Sequence, residues 1–125
     1  MIKLVFTLRR REDMTRAEFQ RYWREQHAPL VMSHAETLGI RRYVQTHAVD
    51  TELDETISGA RDSEPRYYDG VAELWWDSLE ELIAASTSEA GQVAGAALLE
   101  DERRFIDVAR SPIWLGEEQV VIEAA

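Results

Sequence analysis

The chain contains no cysteine. That removes disulfides, thiolate nucleophiles and cysteine metal ligands together, and it suits a reducing compartment, so a cytoplasmic location is expected. Lysine is almost missing as well: Lys3 is the only one, and every other basic residue is arginine. That composition favours planar, ion-paired contacts over flexible solubilising ones. Positive charge is scarce overall, with Lys+Arg 14 against Asp+Glu 24 and a formal net charge of −10. A nucleic-acid binder displaces counterions from phosphate with a basic face. The one candidate, Arg9–Arg11, is short and falls where a first strand ends, so it reads as a solvated turn and no nucleic-acid partner is expected. No apolar run approaches the roughly 18 residues a membrane helix requires. The opening "MIKLVFTLRRRED" places a short apolar run first with no small-residue cleavage site after it, so neither a membrane segment nor a secretory leader is expected. Glycine-rich phosphate loops and the nucleophile-elbow pattern are also absent.

What is there fits one soluble domain spanning residues 1–125, with 45% hydrophobic and 30% charged residues. Ile2–Leu8 is apolar and β-prone and predicts a first strand. "TRAE" at Thr15–Glu18 is a capping box opening a helix, and Phe19, Tyr22, Trp23 and Leu30 recur at helical spacing behind it. Pro29 then removes a backbone donor and disfavours helical geometry at Ala28, so the helix is expected to kink or restart there and to end before Gly39. "IRRYVQTHAV" (Ile40–Val49) predicts strand two, with Arg41, Tyr43, Gln45, His47 and Val49 on one side. The acid-rich Asp50–Arg66 reads as a long loop with at most one helical turn, of a length that often serves as a lid. "YDGVAELWW" (Tyr68–Trp76) predicts strand three, and a second capping box at Ser78–Glu81 starts a helix to about Ala85. A turn near Gly91 and Gly95, a longer helix through "AALLEDERRFIDVA" and a fourth strand around Gln119–Glu123 complete the pattern.

Two β-α-β halves of this kind predict an α+β, ferredoxin-like βαββαβ domain: a four-stranded antiparallel sheet with both helices on one face. The other face is expected to carry Tyr43, Gln45 and His47, joined by Val71, Glu73 and Trp75. An aromatic surface of that size calls for an interface, most simply a homodimer in which two sheets face each other.

Among the titratable residues His27 stands out, since it precedes the proline break. Its ring can cap the carbonyls that Pro29 leaves unpaired, or it can move protons near neutral pH. His47, mid-strand beside Tyr43, is either an interface hydrogen bonder or a second acid/base group. Glu73 is either a cavity carboxyl or the ion-pair partner of Arg41 or Arg42, and "EDERR" (Glu100–Arg104) reads as a solvated helical face. His27 and His34 are two helical turns apart with Pro29 between them, too far for shared ligation, so no metal is expected.

"MTRAEFQRYWREQHAPLV" (Met14–Val31), "GIRRYVQTHAV" (Gly39–Val49), "YDGVAELWWDSLEEL" (Tyr68–Leu82) and "EDERRFID" (Glu100–Asp107) together resemble the EthD family of the dimeric α+β barrel superfamily. The resemblance implies a homodimer, a small-molecule cavity between sheet and helix, and no metal or organic cofactor. It implies lactone isomerisation, dehydration or decarboxylation of aromatic polyketides, or a part in ether oxidation. His27 matches the helix-break histidine of the family's "HAPL" motif, and Tyr43 and His47 match polar cavity positions of lactone-isomerase relatives. Those relatives also place a cysteine near the site, which this chain lacks.

The expectation is therefore cofactor-independent proton-transfer chemistry, whether isomerisation, dehydration or cyclisation, on an apolar, carbonyl-bearing cyclic compound. His27, His47 and Tyr43 are the catalytic candidates. Tyr22, Trp23, Gln45, Glu73 and Trp75 are the substrate-binding ones. A cofactor-free oxygenase and a non-catalytic binding dimer are the rival readings.

Overall fold

The structure is a computed structural model that describes all 125 residues. It contains strands β1 (Ile2–Leu8), β2 (Arg42–His47), β3 (Gly70–Trp76) and β4 (Ile113–Gly116). Its helices are α1 (Arg16–Tyr22), α2 (Ala28–Leu38), α3 (Glu52–Gly59), α4 (Leu79–Thr87) and α5 (Glu89–Glu102). The sheet runs β2-β3-β1-β4 with every neighbour antiparallel, and the helices bury Phe6, Leu8, Phe19, Trp23, Ala72, Phe105 and Ile106 against one side of it. This is the predicted α+β, ferredoxin-like arrangement.

The capping box forms as written: the Glu18 N–H donates to the Thr15 hydroxyl at 3.1 Å, and the Thr15 N–H donates to the Glu18 carboxylate at 3.0 Å. The expected break at Pro29 takes a different form. Residues Trp23–His27 make a π turn that joins α1 to α2 without a stop, and Pro29 sits in the first turn of α2. In an unbroken α-helix the proline ring would meet the carbonyl four residues back and leave it without a donor. One extra residue in the turn before it relieves both problems, because the Ala28 N–H reaches back to the Trp23 carbonyl.

Strand two alternates as expected, but its polar row faces the helices. Gln45 donates to the Trp23 carbonyl and the His47 ring stacks 4.3 Å from that of Trp23, so Tyr43, Gln45 and His47 lie on the covered side. The far side carries Arg42, Val44 and Thr46, opposite Trp75, Glu73 and Val71. It is less apolar than expected: Trp75 is buried there, with the Lys3 and Arg42 cations over its ring and Glu118 accepting from its indole N–H. Glu73 pairs with Lys3, its neighbour on β1, and not with Arg41 or Arg42.

The segment after β2 holds more than one helical turn, because Thr51 caps α3. The second helical region divides at Ser88, which ends α4 and caps α5, and both glycines lie inside α5. At Gly91 an added Cβ would come within 1.7 Å of the Ala85 carbonyl oxygen, so glycine there is what lets the two helices meet. The fourth strand is Ile113–Gly116, not Gln119–Glu123. In the observed register Lys3 lies opposite Gly116, so β1 has run out before Gln119 is reached, and Val120, Val121 and Ile122 stay exposed.

Candidate active site

The π turn aims His27 inward. Its ring is buried, packs 5.0 Å from Phe105, and its Nδ1 lies 2.7 Å from the Asp101 carboxylate on the last turn of α5. The Tyr22 hydroxyl donates to the other Asp101 oxygen at 2.6 Å, and Arg104 donates to that same oxygen at 3.2 Å. Burial pushes the Asp101 carboxyl up, but these donors outweigh it and hold it below the usual carboxylate range. Burial lowers His27, against the pull of Asp101. The resting pair is thus a carboxylate and a neutral imidazole. Nδ1–H donates to Asp101, and Nε2 makes no hydrogen bond within the protein.

The structure does not give His27 the capping role. Its ring makes no capping hydrogen bond at the start of α2, so closing the Pro29 break is the work of the π turn. A histidine whose far nitrogen is held by a buried carboxylate, with its near nitrogen free, is oriented as a general base.

Trp23 connects this pair to a second cluster. Gln45 sits at its centre, donating to the Trp23 carbonyl at 3.1 Å and to the Tyr43 hydroxyl at 2.8 Å. Its side-chain carbonyl lies 2.7 Å from His47 Nε2 and accepts from it, which places the His47 proton on Nε2. His47 Nδ1 is buried without a partner, and burial followed by the nearby Arg24 charge keeps the ring neutral. Burial raises the Tyr43 hydroxyl, so it stays protonated, and since it already accepts from Gln45 its own proton is free to donate.

Of the residues singled out from sequence, His27, Tyr22, Trp23, Tyr43, Gln45 and His47 all lie on the helix side of the sheet. Glu73 and Trp75 do not: the sheet stands between them and His27, so they take no part in this site. A cleft of about 1180 Å³ lies between the residue 48–66 segment and the body. His47 lines it and His27 does not, and within it Arg16 pairs with Asp50 and Arg66 with Asp50 and Asp54. Any closure by that segment therefore concerns the His47 end.

Asp101 lies within "EDERR", which by sequence reads as a solvated face, and the structure buries it. Its signal was periodic: Gly91, Ala94, Asp101 and Phe105 fall on one buried stripe of α5 and its continuation, with a carboxylate where an apolar residue is due. Glu102, beside it, is half-buried, and burial followed by the Asp101 charge pushes its carboxyl up to about 7. No set of three or more His, Asp or Glu side chains is arranged to hold a metal ion.

No curated protein matches the chain in sequence. Among solved structures, an ethyl tert-butyl ether degradation (EthD) family protein from Bacillus halodurans C-125 superposes with a TM-score of 0.62 at 21% identity, covering 95% of this chain and 99% of that one. An EthD-like protein from Ralstonia eutropha JMP134 gives 0.60 at 18% identity, covering 99% and 95%. A dimeric protein of unknown function and ferredoxin-like fold from Bacteroides fragilis gives 0.58 at 10% identity, covering 94% and 95%. The family model for the EthD domain matches residues 11–109, a span that includes the π turn, His27, Asp101 and Glu102. The chain belongs to the EthD family.

Proposed function

We propose that the protein is a cofactor-independent proton-transfer enzyme acting on an apolar, carbonyl-bearing cyclic compound, with His27 as its base. The observation that carries this reading is the buried His27–Asp101 pair with Nε2 unengaged. Such a nitrogen takes a proton from the carbon beside a carbonyl, and the imidazolium that forms is stabilised by Asp101, itself braced by Tyr22 and Arg104. The Tyr43 hydroxyl is a free donor for the enolate oxygen. We read the working form as a homodimer joined through the sheet face away from the helices, where Val5, Val44, Val71 and the half-exposed Trp114 lie near one another.

The test is hydrogen exchange at the α-carbon of 1-tetralone in heavy water, followed by NMR. Wild type is expected to accelerate exchange. His27→Ala is expected to abolish the acceleration, and Asp101→Asn to reduce it by about 100-fold while ketone affinity is retained. Unchanged exchange in the folded His27→Ala protein would overturn the reading. Binding of the ketone without exchange in wild type would favour a sheltering role, and oxygen uptake with an electron-rich phenol would favour an oxygenase.

A further inference from the structure

Gln45 sits on β2 opposite the small side chain of Ala72, and both polar atoms of its amide are engaged. Its side-chain nitrogen has two protons. One goes to the Trp23 carbonyl at 3.1 Å and the other to the Tyr43 hydroxyl at 2.8 Å, so neither is left for a ligand. The direction of the amide is not a free choice. Turned over, its oxygen would face the Trp23 carbonyl oxygen across the same 3.1 Å, two acceptors with no proton between them. That carbonyl belongs to the wide turn: the N–H that reaches it along the chain comes from Ala28, and Gln45 supplies a second donor from the sheet. The amide oxygen is thereby aimed at His47 Nε2, 2.7 Å away, where it can only accept. One backbone oxygen of the π turn thus orders the protons of three side chains. Gln45 donates twice. Tyr43 receives one of those protons and must direct its own elsewhere. His47 carries hydrogen on Nε2, and its buried Nδ1 is left without a partner.

We propose that Gln45 is a positioning residue of this site: it couples the wide turn that carries His27 to the Tyr43 hydroxyl, and it makes that hydroxyl a donor to the substrate oxygen. This rests on the reading of Tyr43 as the group that meets an enolate oxygen. A phenolic hydroxyl both donates and accepts, and with no fixed neighbour its proton follows whichever acceptor is nearest. Here the inward direction is filled by the Gln45 N–H, so the proton is kept for an outside acceptor. Charge developing on a carbonyl oxygen is stabilised most by a donor already aimed at it, because nothing has to reorient during the reaction. Gln45 itself touches no reacting atom and acts through Tyr43. The same link joins donor to base: the Trp23 carbonyl opens the turn that His27 closes, so both groups are held from one turn. The specificity that follows is for a ligand presenting an oxygen acceptor, a ketone or its enolate, at Tyr43.

Nitrogen NMR of labelled wild-type protein without ligand tests the proton order, and it requires no variant to fold. His47 is expected as the Nε2–H tautomer. Gln45→Met keeps the length of the side chain and removes its donors and acceptor. It is expected to release His47 into a mixture of tautomers and to slow 1-tetralone exchange about 10-fold, mostly in kcat. In a Tyr43→Phe protein the same substitution is expected to add less than about 2-fold, because the group through which Gln45 acts is gone. An Nδ1–H tautomer at His47 in wild type would overturn the proposal, since the amide would then face that ring with its nitrogen. Effects of the two substitutions that multiply in full, or wild-type exchange in folded Gln45→Met, would overturn it as well. Any of these alongside accelerated exchange in wild type leaves His27 as the base. Wild-type protein that accelerates no exchange would overturn the base reading, and the substrate role of Tyr43 with it, whatever the tautomer of His47.

Discussion

Replacing Glu102 by glutamine is expected to make the protein more stable in alkaline solution and to have little effect in acid. The folded chain holds this carboxyl at about 7, against an ordinary value of 4.5. Below about pH 4.5 the group is protonated in both folded and unfolded chains, and it adds no penalty. Between the two values the unfolded chain ionises while the fold resists, so stability falls as pH rises, and it levels off once the folded carboxyl has also ionised. The gap corresponds to about 3 kcal/mol at about 1.36 kcal/mol per pKa unit, trimmed to about 2 by the part of the carboxylate that still meets water. Glutamine has the same shape and no charge, so the penalty is absent at every pH. Urea unfolding of both proteins at about pH 4.5 and about pH 8.5 measures the difference. Near-equal stability in acid and a gain of about 2 kcal/mol in base are expected. Other titrating groups, including the depressed His27, change alike in both proteins and cancel. An offset that is the same at both pH values would refute the argument, since it would show that glutamine alters packing and that Glu102 ionises freely.

Gly91→Ala is expected to destabilise the fold by about 2 kcal/mol or more, because its Cβ would collide with the Ala85 backbone where α4 meets α5; thermal unfolding reads this directly. Asp69→Ala is expected to cost about 3 kcal/mol in urea unfolding. The buried carboxylate accepts from the Arg10 N–H at 2.9 Å and from the Arg10 and Arg16 guanidiniums at 2.6 and 3.2 Å, and truncation strands all three donors.

The sequence exposes what is decided locally and hides what depends on distant partners. Thr15 and Glu18 are three residues apart and need nothing else, so their capping box is plain in the text of the chain. Pro29 announces that the helical ladder must be interrupted, but a kink, a break and an added residue all satisfy it, and the choice is made by what His27 and Trp23 meet across the core. Strand two alternates visibly. Which side faces the helices turns on whether Gln45 finds the Trp23 carbonyl, a partner 22 residues away. Val120–Ile122 has the stronger β propensity, yet the strand forms at Ile113–Gly116, because propensity cannot act where β1 has no residue left to pair. Asp101 is separated from His27 by 74 residues, and only its place on the buried stripe of α5 sets it apart from the solvated acids around it.

The wide turn at Trp23–His27 also has a bearing on how this site could be removed. A helix carries angular memory: each residue advances it by about 100°, so the residue count before a point fixes the direction of everything after it. Phe19 upstream, and Val31 and Leu38 downstream, are all buried, which means the surplus residue is already counted into the alignment of both halves. Deleting one residue within the turn would restore ordinary winding and keep every functional side chain in the protein. It would also swing α2 by about 100° relative to α1 and carry Val31 and Leu38 out of the core. The direction in which His27 faces and the seating of α2 are therefore set by a single integer, and neither can be reset without the other.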